Sequence, residues 1–211
     1  MEAEIIEKTI KALEKNNFEV FFAQNRDEAR EVFFNTIFPE IKPTCVSWGD
    51  SMTMKATGVL EEIEKRTDCV FIQTLGDHYT AAQKTYWRRK ALEADLFLSG
   101  TNALTQQGQL VNADMIGNRV AGMIFGPKHV VLFIGVNKIT ANIEEAIQRI
   151  RTVAAPLNAI RHTNLRTPCQ KTNTCMDCQS PDRLCNTWVI TEKSFPAKRV
   201  KIILINEPLG L

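Results

Sequence analysis

Four of the chain's six cysteines lie in one polar stretch, PCQKTNTCMDCQSPDRLC, running from Pro168 to Cys185. Cys175 and Cys178 form a C-x2-C pair, with Cys169 six positions before it and Cys185 seven positions after it. Thiols at this density, among Thr, Asn, Gln, Asp and Ser, belong to no ordinary strand or helix. The stretch is too polar to fold by burying itself, so something must tie it down. Four thiolates converging on a metal would do so, and tetrahedral sulfur ligation suits Zn2+ or an iron–sulfur cluster. Structural zinc sites more often pair two C-x2-C knuckles. Here one knuckle carries two longer arms, a spacing that favours a 4Fe–4S cluster held by Cys169, Cys175, Cys178 and Cys185. Two disulfides, or four free thiols in a reducing compartment, are the other readings. Cys45 and Cys69 sit in the apolar runs TCVSW and CVFI and read as small buried hydrophobes.

Other candidate chemistry follows the ends of apolar runs. Gly49-Asp50-Ser51 comes directly after TCVSW; the glycine permits close backbone approach, and Ser51 opens a helix. Gly76-Asp77-His78-Tyr79 supplies a histidine that either titrates near neutral pH or sits exposed in a loop. The segment SGTNALTQQGQLVNADMIGNRVAG is the richest. It gathers Gly100, Thr101, Asn102, Asn112, Asp114, Gly117, Asn118 and Arg119 around one corner. Arg119 has the fork geometry for a phosphate or carboxylate, and the competing reading is a tightly hydrogen-bonded structural corner. Lys138 follows the strand HVVLFIGV and either neutralises an anionic ligand or caps the sheet in solvent. His129 opens that strand and reads as structural. His162 stands just before the cysteine stretch. No P-loop, G-x-G-x-x-G, H-E-x-x-H or G-x-S-x-G pattern occurs.

The elements that must position these groups alternate. A helix is expected over residues 2–16, a strand over 18–23, and a helix capped by Asn25 through Ile37. Strands follow at 44–48, 68–73, 96–100 and 129–136, with helices between them. TNALTQQGQLVNAD reads as a hairpin turning at Gln107-Gly108. Residues 142–161 form the most regular helix, with Ile143, Ala146, Ile147, Ile150, Val153, Ala154 and Leu157 as its apolar stripe and Pro156 as a kink. TWVITE and RVKIILIN are the last two strands. Such alternation predicts an α/β fold, with a mostly parallel sheet covered by helices on both faces. Ligands in such sheets bind beyond the carboxyl ends of the strands.

The chain has 211 residues, 44% of them apolar and 24% charged, which suits a single domain over 1–211 with a Cys-rich loop at 165–187. A net charge of +2 leaves no nucleic-acid footprint. The opening MEAEIIEKTIKALEK lacks the basic start and apolar core of a signal peptide, and no apolar run reaches membrane-span length. A cytoplasmic location with reduced cysteines is the expectation.

Several of these segments together resemble a known family. SGTNALTQQGQLVNADMIGNRVAGMIFGPKHVVLFIGVNKI, then EEAIQRIRTVAAPLNAIR, the four-cysteine loop and the closing EPLGL are similar to the lactate-utilisation (LUD) domain family, found with iron–sulfur L-lactate oxidation complexes in bacteria. The resemblance implies a fold like ribose-5-phosphate isomerase and CoA transferases. It also implies a ligand site at Gly100, Asn102, Gly108, Asn112, Asp114, Gly117 and Asn118. Many members lack the four-cysteine loop, and the ferredoxin-type C-x2-C-x2-C-x3-C-P run of larger relatives is missing here.

Three functions compete. One is an accessory or redox subunit in L-lactate or 2-hydroxy-acid utilisation, beside iron–sulfur oxidoreductase subunits. Its ligand would be a small anion held by Gly49, Asp50, Ser51, Gly100, Thr101, Asn102, Gly117, Asn118, Arg119 and Lys138. Another is a stand-alone enzyme on a phosphosugar or acyl-CoA-type metabolite, with Asp114 as general base. The third is a zinc-stapled binding module without catalysis.

Overall fold

The computed structural model describes residues 2–76 and 78–211. In chain order the strands are β1 (Glu19–Ala23), β2 (Cys45–Trp48), β3 (Val70–Ile72), β4 (Leu96–Ser99), β5 (Ala103–Thr105), β6 (Leu110–Asp114), β7 (His129–Gly135), β8 (Ile139–Thr140), β9 (Thr187–Thr191) and β10 (Val200–Ile205). The helices are α1 (Glu2–Lys15), α2 (Arg26–Val32), α3 (Phe38–Ile41), α4 (Met52–Ala56), α5 (Val59–Ile63), α6 (Ala81–Lys90), α7 (Asn118–Ile124), α8 (Ile143–Arg149), α9 (Ala155–Arg161) and α10 (Cys169–Thr172).

A six-stranded sheet in the order β1-β10-β7-β4-β2-β3 is parallel throughout. Its interior strands are apolar on both faces, as a doubly covered sheet requires. Leu96, Leu98, Val131, Phe133, Ile203 and Ile205 point into one core with Ala29 of α2, Met54 of α4 and Ile63 of α5. The alternate residues Phe97, Val130, Leu132, Ile202 and Leu204 join Ile6 and Leu13 of α1 and Met123 of α7 in the other. This is the predicted fold class.

The connection from β2 through α4 and α5 leads outward to the edge strand β3. The next one, through α6, crosses back to place β4 on β2's other side. The strand order therefore reverses between β2 and β4, and a crevice opens between their carboxyl ends.

A second sheet, β8-β5-β6-β9, was not foreseen. The predicted hairpin exists as antiparallel β5 and β6, with Gly108 at φ +76° in the turn. TWVITE supplies β9, which pairs antiparallel with β6 rather than entering the main sheet. Short strands carry no mark of which sheet they join. Ala103 and Val111 of this sheet bury against Ala146 of α8 and Ile150 just beyond it.

The long helix at 142–161 is three pieces: α8, a π-helical turn at Ile150–Ala154, then α9. Pro156 lies in the first turn of α9, directly after the π turn. The π turn inserts one residue, so the helix face shifts there. Ala146, Ile150, Ala154 and Ala159 are buried, whereas Val153 and Leu157, placed on the apolar stripe by strict periodicity, are exposed. The extra residue rotates the polar face of α9, with Asn158 and Arg161, onto the crevice. Among the described residues, no helix is long and apolar enough to cross a membrane.

Candidate functional site

A cavity of about 250 Å3 occupies the crevice between the ends of β2 and β4. Asp50 and Ser51 enter it from β2, and Gly100, Thr101 and Asn102 from β4. Asp114, Asn118 and Arg119 come from the β6–α7 corner, and Lys138 from the segment after β7. These nine predicted residues share one wall system. Gly49 and Gly117 do not line it. A side chain at Gly49 would meet Arg119 Cγ at 2.7 Å, so this glycine seats Arg119. Gly117 caps α7 at φ +83°. Gly100 leaves room for Ser51, whose Oγ would lie 2.5 Å from an added Cβ. Ser51 Oγ accepts from the Met54 N–H at 3.2 Å, capping α4.

Arg119 is the clamp of the corner. One terminal nitrogen donates to the Gly100 carbonyl (3.1 Å) and Asn112 Oδ1 (2.8 Å). The other donates to Asn102 Oδ1 (2.8 Å) and the Ala113 carbonyl (3.0 Å). Its Nε faces Asp114 Oδ2 at 3.4 Å. With its donors on protein acceptors, the fork expected to grip an anion instead holds β4, β6 and α7 together. Asp114 Oδ1 in turn accepts the Gly117 N–H at 3.0 Å. Both carboxylate oxygens of the predicted base thus have protein partners.

Lys138 differs. It is 4% exposed, and its Nζ donates to the Thr101 carbonyl oxygen at 2.9 Å. No carboxylate among the described residues pairs with it. Burial, reinforced by the charges of Arg149 and Arg119, lowers its pKa to about 7. Arg149 stands behind this wall, donating to the carbonyls of Asn102 (2.6 Å), Asn137 (3.1 Å) and Leu211 (3.2 Å). Gly210, at φ +75°, packs alongside; a Cβ there would lie 3.2 Å from Lys138 Nζ.

Two wall residues, Arg161 and Arg88, had no sequence signal. Arg161 reaches Asp50 Oδ2 at 3.0 Å, and Lys55 stands 3.1 Å from Oδ1. Burial opposes ionisation of Asp50, but these two cations hold its carboxyl below the usual range. Arg88 of α6 also lines the cavity, and its buried Nε has no hydrogen-bond partner among the described residues. His162, which stands just before the cysteine stretch, lines this cavity. Burial and then Arg161 lower its pKa, favouring the neutral ring. From the second predicted cluster, Asp77 lies outside the described residues. His78 is exposed, stacks on Tyr79 at 4.2 Å between ring centroids, and does not line the cavity.

Cys169, Cys175, Cys178 and Cys185 all line a second, smaller hollow of about 20 Å3. All four are free thiols. Among the described residues, no three His, Cys, Asp or Glu side chains are grouped tightly enough to hold a metal ion. The loop is tied by its own polar groups, which the sequence argument had denied it. Arg183 donates to the carbonyls of Cys178 (2.8 Å) and Cys185 (3.3 Å) and pairs with Asp177 at 2.9 Å. Asp182 accepts from the backbone and the guanidinium of Arg166. The Asp177 N–H donates to Cys175 Sγ at 3.4 Å. Leu184 lines both hollows, and the π turn and α9 contribute Ala154 to one and Ala155 and Pro156 to the other. Cys45 and Cys69 stand apart, half-buried, with burial raising both thiols.

Comparison with known proteins matches this arrangement to one family. No curated protein matches the chain. A crystal structure of a DUF162 family protein from Deinococcus radiodurans is similar to it, with 11% identity, a TM-score of 0.55, and coverage of 98% of this chain and 99% of that one. At that identity the likeness speaks for the fold. The LUD domain model matches residues 6–205, nearly the whole chain and every residue of the corner, of both hollows except the terminal Leu211, and of the cysteine loop. The chain belongs to the LUD domain family, which is linked in general to lactate utilisation.

Proposed function

We propose that the protein is a subunit of L-lactate or other 2-hydroxy-acid utilisation. On this reading it holds a small anionic acid in the β2–β4 crevice and an iron–sulfur cluster in the cysteine loop. The observation that carries the reading is the buried Lys138 ammonium facing the cavity without a counter-ion. Within the same walls, Arg119 is offset by Asp114, and Arg161 by Asp50. Lys138 and Arg88 of α6 are left for a ligand, and a buried charge without a partner is costly. A cavity of about 250 Å3 falls below the ~300–1,000 Å3 of sites for drug-sized ligands. It suits a metabolite of a few carbons and is too small for the body of a coenzyme A thioester.

Four cysteines can hold a cluster or a lone zinc, and one C-x2-C knuckle with two longer arms supports the cluster. The four line one hollow, and among the described residues no three such side chains are grouped tightly enough to hold a single ion. Zinc would need all four sulfurs about 2.3 Å from one centre. A cubane takes each cysteine on a different iron and so accepts a wider ring. When bound, such a cluster would exchange single electrons, and Leu184 makes its hollow a neighbour of the acid's cavity. Iron–sulfur oxidoreductase subunits are the partners this reading implies.

Anaerobic purification followed by visible absorption and iron, sulfide and zinc analysis tests the loop. A brown protein with iron and sulfide in equal amounts is expected. A colourless protein with stoichiometric zinc would overturn the electron-transfer reading and leave the zinc-stapled module.

A further inference from the structure

We propose that Lys138 is a reactive amine that forms an imine with the carbonyl carbon of a small 2-oxo acid bound in the β2–β4 cavity. The proposal rests on the reading that this cavity takes a small acid, and it goes further by naming the group that bonds to it.

The geometry is that of an activated lysine. Nζ is buried, faces a cavity, and spends one N–H on the Thr101 carbonyl. The two charged groups that act on it, Arg149 and Arg119, are both cations, and no carboxylate among the described residues stands within ion-pair distance. A lysine beside cations in a desolvated pocket releases its proton near neutral pH and becomes a nucleophile. Asp50 and Asp114, the two acidic side chains on the cavity wall, are engaged by Arg161 with Lys55 and by Arg119, so neither recharges it. A purely structural lysine would normally bring a carboxylate with it into the interior, or reach solvent with its head. Lys138 does neither.

The step balances without any redox partner. The Nζ lone pair forms a bond to C2 of the 2-oxo acid, and the C=O π bond opens to a carbinolamine. The two amine hydrogens leave with the former carbonyl oxygen as one water, giving C=N. A 2-hydroxy acid has no ketone carbonyl at C2 and cannot react this way. It would occupy the cavity reversibly, so the lysine would distinguish the oxidised acid from the reduced one.

The test uses the full-length protein, pyruvate and sodium cyanoborohydride, with intact mass measurement and peptide mapping. The expected result is one reduced pyruvate adduct on Lys138. Its rate should rise as pH passes about 7, whereas an ordinary lysine needs pH near 10.4. L-lactate should slow it, and Lys138→Arg should abolish it. Adducts scattered over surface lysines, or calorimetric binding of pyruvate with no adduct on Lys138, would overturn the imine and leave the acid-binding reading standing. If neither pyruvate nor L-lactate binds the folded protein, both fall. Because the mapping is done on the unaltered chain, the result does not depend on a variant folding.

Discussion

Lys138 Nζ donates to the Thr101 carbonyl oxygen across 2.9 Å, joining the segment after β7 to the segment after β4 at the floor of the cavity. The bond satisfies one of three N–H donors and none of the charge. Its consequences are measurable in stability as well as in binding.

Burial, with Arg149 and Arg119 close by, lowers Lys138 to about 7. The unfolded chain, with a lysine near 10.4, therefore holds one more proton than the folded chain between those values. The stability cost is full below about pH 7 and is relieved as pH rises through the window. Lys138→Met should stabilise the protein at neutral pH. The advantage of the variant should shrink by up to about 1.4 kcal/mol per pH unit towards pH 9. Urea denaturation of both proteins across that range measures the difference.

Arg119→Met should cost about 3–5 kcal/mol, because it leaves Asp114 buried without its cation and strands the acceptors of Gly100, Asn102, Asn112 and Ala113. Arg119→Lys should recover only part of this, since an ammonium cannot span both sides of the fork. Denaturation midpoints of the three proteins decide it.

Gly108 and Gly117 both have positive φ, at +76° and +83°. A Cβ at Gly117 meets nothing within 4 Å, so Gly117→Ala should cost only the backbone penalty of about 1–2 kcal/mol. At Gly108 a Cβ would lie 2.7 Å from the Leu13 nitrogen in α1, so Gly108→Ala should cost clearly more. Equal losses of melting temperature would contradict the close packing of this turn on α1.

Arg183 clamps the cysteine loop through the carbonyls of Cys178 and Cys185. On the proposed reading, Arg183→Met should weaken metal retention by about 10- to 100-fold, the usual effect of losing a supporting contact. Chelator challenge followed by absorbance gives the rate.

The parallel sheet was legible because β4, β7 and β10 are continuous apolar runs separated by helical periods. Nine of the polar and glycine positions that follow strand ends line one cavity. The hidden part has physical causes. Whether Arg119 is a ligand fork or a clamp depends on which acceptors the folded chain brings to it, and spacing does not reveal that. Arg161 was missed because the π turn at Ile150–Ala154 rotates α9 by one residue relative to a regular helix. Arg88 lies on α6, which buries no residue, so its amphipathic signal was empty. The second sheet escaped because β8 spans only Ile139–Thr140.

The most direct test of the central claim is calorimetric titration of L-lactate and pyruvate into the protein and into Lys138→Met, each with its melting temperature recorded. The account predicts one binding site per chain in the unaltered protein, and an affinity at least about tenfold lower (about 1.4 kcal/mol) in a variant that remains folded. Equal affinity in the two proteins, or no binding to either, would contradict it.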